Sequence, residues 1–138
     1  MSVTPFPHLD HAETIRDLAR RLVGPAEPES WRDHLRALVR PLQEAFAAHR
    51  AATEGDHGLY AEVVLDAPRL ANTVDGLVAE HHVIGSAMER LAAVASEVSP
   101  DAEALRREAI EVLDGLAQHG QRDSDLVYEA YATDLGGE

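Results

Sequence analysis

Residues 74–88 read VDGLVAEHHVIGSAM, and the place of His81 in that stretch decides how the chain is read. Val74, His81 and Met88 stand seven residues apart. Seven-residue steps return close to one face of a helix, so His81 falls within an apolar stripe that marks the core. The pattern occurs twice more: His49 continues Leu35 and Leu42, and His119 lies among Leu105, Val112 and Leu126. Three inward imidazoles on three separate helices can build a metal site inside a bundle.

The surrounding sequence supplies the helices. Alanine and leucine are abundant and aromatics make up only 4% of the chain, which favours helix throughout. The spacing predicts a first helix over about 10–23, with Ile15, Leu18 and Leu22 inward. Gly24-Pro25-Ala26-Glu27-Pro28 breaks it. Ser30 suits the cap of a second helix, with Asp33 three residues on; Trp31, Leu35, Leu38, Leu42, Ala45 and Phe46 then face inward. Pro41 is expected to kink that helix. Gly55 and Gly58 interrupt the pattern, and 59–65 returns to helix. A third helix runs from about Pro68 to near Val98. Ser99-Pro100-Asp101 is a turn and cap, and a fourth helix reaches about Thr133. There is no internal repeat. Four helices with short connections imply an all-α, antiparallel up-down four-helix bundle, a single domain over residues 1–138.

Composition narrows the chemistry. A formal net charge of −13 argues against a nucleic-acid partner, which would need a basic footprint, and against an anionic membrane surface. Arg16, Arg20, Arg21, Arg106 and Arg107 read as solvated helix faces. No apolar run approaches the roughly 20 residues of a membrane span, and residues 1–8 do not resemble a signal peptide. A cytoplasmic location is expected. The chain has no cysteine, so thiolate sites and cysteine nucleophiles are excluded. A metal would be held by imidazole, carboxylate, phenolate or water, ligands that suit iron, manganese or zinc.

Ligands must share a height as well as a face. His81 lies about 18 residues before the turn at Ser99-Pro100, and His119 about 19 after it. At about 1.5 Å per residue both are roughly 27–29 Å from that turn. If 59–65 extends the second helix, His49 and His81 also agree within a helical turn. His11 offers a looser match from the first helix. Carboxylates would offset the metal charge. Asp123 is four residues after His119 on the same face, and an acid there is costly to bury unless paired, protonated or metal-bound. Glu54 follows His49 by five residues and would point about 140° away in a regular helix. It reaches the core only through a π-bulge or a glycine break.

These residues bring a family into view. His49-Arg-Ala-Ala-Thr-Glu54, Glu80-His81-His82 and His119-Gly-Gln-Arg-Asp123, followed by Leu-Val-Tyr-Glu-Ala-Tyr, resemble the hemerythrin-like, or HHE cation-binding, domains. The segments GLYAEVVLDAPRL and LVYEAY…DLGG look like an actinobacterial branch. The resemblance covers roughly Trp31 to Gly137. It implies a four-helix bundle around a non-haem, usually di-iron, centre that binds or senses dioxygen, stores iron, or acts on peroxide or nitric oxide. Carried over by position, the metal ligands are His49, Glu54, His81, His119 and Asp123.

The chain departs from the family pattern, which usually has two histidines four residues apart, or a histidine with a glutamate four residues on. Gly85 stands four residues after His81, and Thr53 four after His49. Five ligands are offered where a full di-iron site takes seven. A mononuclear site, a reshaped dinuclear site recruiting Tyr60, and a lost site are the alternatives. In the last case the bundle is a metal-free interaction module, with a groove or a homodimer face as its working surface. A hydrolytic zinc enzyme is disfavoured by the absence of HExxH.

Each residue also has a plainer reading. A lone core histidine is ordinarily hydrogen-bonded and structural; three at one height favour a metal. His82 points about 100° from His81, His34 reads as surface, His57 lies in the glycine break, and His8 sits in an N-terminal arm. Tyr60 is a core tyrosine with a partner or a phenolate ligand. Tyr128 and Tyr131 flank Glu129 at the bundle end. Glu80 is a surface residue or one that orients an imidazole N–H.

Overall fold

The computed structural model describes residues 28–132, which are helical apart from short connections. Three long helices account for most of them: α1 (Pro28–Glu54), α3 (Ala71–Ala95) and α4 (Ala102–Val127). A short helix α2 (Leu59–Asp66) and a 3-10 turn (Pro68–Leu70) lie between α1 and α3. A π-helical turn, Tyr128–Ala132, closes the described chain. The described residues therefore hold three long helices rather than the four expected. The helix expected over 10–23 lies outside them, as do His8 and His11.

Several boundaries differ from the expectation for local reasons. Ser30 lies inside α1 rather than at its cap, since α1 already includes Pro28. Pro41 is accommodated within α1 on its exposed side. Pro68 starts the 3-10 turn, and the α-helix begins at Ala71. The expected cap at Asp101 is present, its carboxylate accepting from the Glu103 N–H at 3.2 Å, which satisfies an otherwise orphaned donor. The π geometry considered near Glu54 occurs instead at Tyr128–Ala132.

The contacts fix the helix directions. Arg36, near the start of α1, donates to the carbonyls of Ala95 and Glu97 at the end of α3, while Glu54 at the other end of α1 meets His81. Arg90 of α3 pairs with Glu108 and Glu111 of α4, at 3.4 and 3.2 Å. So α3 runs antiparallel to both α1 and α4. Gly115 lets α4 approach α3 closely: a Cβ there would stand 3.2 Å from Ile84.

The core is layered along the helices. One apolar cluster holds Leu35, Leu42 and Phe46 of α1, Ile84, Met88 and Leu91 of α3, and Leu105, Val112 and Leu116 of α4. A second holds Leu59, Tyr60 and Val63 of α2 with Leu70, Val74, Leu77, Leu126 and Ala130. On each of the three long helices the buried polar residues fall between these blocks: His49 and Thr53, His81, then His119 and Asp123. Each fully buried leucine contributes about 1.5–3 kcal/mol, so the two apolar blocks hold a polar layer that would be costly to bury by itself.

Candidate metal centre

The polar layer is tightly closed. His81 is 0% exposed, Asp123 2%, and His49 and His119 3% each. Their heptad-like spacing carries them inward, and the levels agree: the Nε2 atoms of His81 and His119 are 2.8 Å apart. His49 Nε2 lies 3.4 Å from His119 Nε2. Asp123 Oδ2 lies 3.1 Å from His49 Nε2 and 3.2 Å from His119 Nε2. The three imidazoles form the one histidine-centred group of metal-ligating atoms among the described residues, all within 4.8 Å of one another.

Carboxylates behind the rings set their tautomers. His81 turns its Nδ1 to Glu54, and His119 turns its Nδ1 to Glu80 Oε1 at 2.8 Å. An ionised carboxylate only accepts, so each Nδ1 must carry the proton and donate it. When such a ring is neutral, its lone pair is on Nε2. Burial holds His81 in that neutral form: although Glu54 pulls the other way, the His81 pKa falls from 6.5 to about 4, helped by the neighbouring His119 and His49. Burial would raise the Glu54 pKa, but the bond to His81 and the nearby Arg50 outweigh it and hold the carboxyl below its ordinary range.

Asp123 completes the ring of acceptors. Burial would raise its pKa, but His119 and His49 in their protonated forms, together with the Tyr60 hydroxyl, hold it well below the usual carboxylate range. Its Oδ1 accepts from the Tyr60 hydroxyl at 2.6 Å. Its Oδ2 is close to two ring nitrogens yet aligned with neither for a hydrogen bond. Burial, followed by the charge of Asp123, pushes the Tyr60 hydroxyl far above its ordinary pKa. Tyr60 thus keeps its proton and orients Asp123. Its ring also stacks on His81 at 5.8 Å, with the edge of Phe46 against His81 at 5.6 Å, so the His81 ring is fixed from two sides.

Lone pairs facing one another at these distances repel unless a proton or a metal ion lies between them. An ion bound at about 2.1 Å separates adjacent ligand atoms by about 3.0 Å in octahedral and about 3.4 Å in tetrahedral geometry. The observed spacings of 2.8, 3.1, 3.2 and 3.4 Å fall around those values. The residues present fit a metal ion.

Glu54 stands at the glycine break: it is the last residue of α1, just before Gly55, and its carboxylate meets His81. The chain then turns through Gly58, where a Cβ would meet the carbonyl oxygens of Ala52 and Thr53 at 2.7 and 2.9 Å. Only glycine fits that approach, and it sets α2 so that Tyr60 reaches Asp123. His57 and His82 are exposed, and the His34 and Trp31 side chains lie outside what is described.

Two residues were missed in the sequence. Arg50 Nε donates to Glu54 Oε2 at 3.3 Å, and Arg122 pairs with Glu80. Each imidazole–carboxylate pair is therefore backed by a guanidinium nearer the surface. The four-residue step from Arg50 to Glu54 was a legible signal; the Glu80–Arg122 pair joins two helices and was not. A surface groove of about 330 Å³ between α3 and α4, floored by Leu77 and Leu126, brings Glu80 and Arg122 to solvent.

No described helix is long and apolar enough to cross a membrane. No curated protein and no solved structure matches the chain. The family model described as the hemerythrin HHE cation binding domain matches residues 7–131. The match spans nearly the whole chain and takes in every residue of the polar layer, so this chain belongs to the hemerythrin HHE cation-binding family.

Proposed function

We infer that this chain is a hemerythrin-type iron protein whose buried centre binds, senses or reduces dioxygen, nitric oxide or peroxide. The Nε2 atoms of His49, His81 and His119 and the carboxylate of Asp123 would hold the metal. In this reading Glu54 acts on His81 from behind rather than as a ligand, and Glu80 does the same for His119. The observation that carries the reading is the 2.8 Å approach of His81 Nε2 to His119 Nε2 while both Nδ1 atoms face carboxylates.

Bound iron would supply a redox-active Lewis-acid position to which a small ligand can add. The protein's part is orientation and exclusion of water. Glu54 and Glu80 raise the basicity of the two imidazoles, Tyr60 turns Asp123, and Phe46 and Tyr60 flank the His81 ring. Zinc or manganese would suit the same nitrogen and oxygen donors. The reading includes a cytoplasmic location and a single domain over 1–138, with the helix expected over 10–23 completing an up-down four-helix bundle.

The test is anaerobic reconstitution with Fe(II), elemental analysis, and an absorption spectrum on admitting air. Retained iron with a new near-ultraviolet or visible band supports the reading. A chain that takes up no iron and gains no thermal stability from iron or zinc would instead be a metal-free interaction module.

A further inference from the structure

The space one turn after His81 on α3 is held by an arginine. One turn after His81, α3 carries Gly85, which has no side chain to offer. A Cβ built there would meet one neighbour, the Arg50 guanidinium, with Nη1 at 3.8 Å. Arg50 reaches this place from α1, and its Nε donates to Glu54 Oε2. The same Glu54 oxygen meets His81 Nδ1. Glu54 Oε2 is thus clamped between a guanidinium and an imidazole N–H, which turns this oxygen away from a metal.

The other donors near the centre are engaged as well. The Tyr60 hydroxyl donates to Asp123 Oδ1. Glu80 accepts from His119 Nδ1 and pairs with Arg122. The Thr53 hydroxyl donates to the His49 carbonyl at 2.9 Å, and His57 and His82 are exposed. Among the described residues, the ligand atoms left over are the ring nitrogens of His49, His81 and His119 that lie within 4.8 Å of one another, Asp123 Oδ2 beside His49 and His119, and the unpartnered Nδ1 of His49.

We propose that the centre takes a single metal ion, and that the Arg50 guanidinium, seated over Gly85 and paired with Glu54, supplies beside His81 the positive charge that a second ion would bring. The proposal rests on the metal-binding reading above and narrows it. A guanidinium stays charged at every accessible pH. It compensates Glu54 permanently and repels a second divalent ion.

The experiment is a titration of the full chain with Co(II) under anaerobic conditions, read by visible absorption and by equilibrium dialysis. Wild type should saturate at one Co(II) per chain. The double variant Arg50→Ala, Gly85→His removes the guanidinium and sets an imidazole one turn after His81; it should gain a second equivalent. Two equivalents in wild type would overturn this proposal and leave the metal reading standing. A folded double variant that stops at one would overturn the role given to Arg50. No cobalt uptake at all would overturn both readings. Should the double variant fail to fold, the wild-type stoichiometry still decides.

Discussion

Glu80 of α3 accepts from the Nδ1 of His119 of α4 at 2.8 Å, and Arg122, one turn beyond the groove floor, pairs with the same carboxylate. A residue at the protein surface is thereby joined through two contacts to the middle of the core. Arg50, Glu54 and His81 repeat the arrangement from the α1 side.

Removing the carboxylate should loosen the metal without dismantling the fold. Glu80→Ala is expected to weaken metal affinity roughly 10–100-fold, while Glu80→Gln, whose amide oxygen can still accept from Nδ1, should recover most of it. Nitrogen-15 NMR of His119 would show the tautomer shift in Glu80→Ala alone. Equal affinities in wild type and Glu80→Ala would contradict the role assigned to this residue.

Tyr60→Phe tests the support of Asp123. The change keeps the ring that stacks on His81 and deletes the one donor to Asp123 Oδ1. Leaving a buried carboxylate oxygen without its donor costs about 1–3 kcal/mol or more. Denaturant unfolding of the metal-free protein should register that loss, and unchanged stability would count against the hydrogen bond.

Acid should destabilise the metal-free protein over a defined window. Burial holds His81 at about 4 in the folded state against 6.5 for the free group. As pH falls the unfolded chain takes up its proton first, so stability declines from about pH 6.5 down to about pH 4, by at most about 1.4 kcal/mol per pH unit from this group. Above pH 6.5 its contribution is fully present. A stability curve that stays flat from pH 7 to pH 4.5 would show that His81 is not buried neutral.

Gly58→Ala probes the link between loop and site. The added Cβ would press on the Ala52 and Thr53 carbonyls, which belong to the helix backbone and cannot swing aside. A loss of about 1–3 kcal/mol is expected, together with weaker metal binding as α2 shifts Tyr60 from Asp123. Thermal melts with and without metal would separate the two effects.

What the sequence disclosed followed from regular helix geometry. His49, His81, His119 and Asp123 could be placed because seven- and four-residue steps stay on one face, and the levels of His81 and His119 followed from counting outward from one turn. Glu54 broke that logic: it stands off the face of His49, and its contact with His81 depends on how α1 and α3 sit against each other. The pairing of Glu80 with Arg122 depends on the rotation of α4 against α3, which periodicity alone does not specify. Gly85 looked like a missing ligand, and its meaning emerged only with Arg50 lying over it.

The most direct test of the central claim is iron per chain after anaerobic reconstitution, measured on wild type and His119→Ala side by side. His119 touches His49, His81 and Asp123 at once, so its loss should empty the centre while the helices remain. Wild type should retain iron through desalting, and the folded His119→Ala variant should hold none. Wild type without iron, or His119→Ala with as much iron as wild type, would contradict that claim.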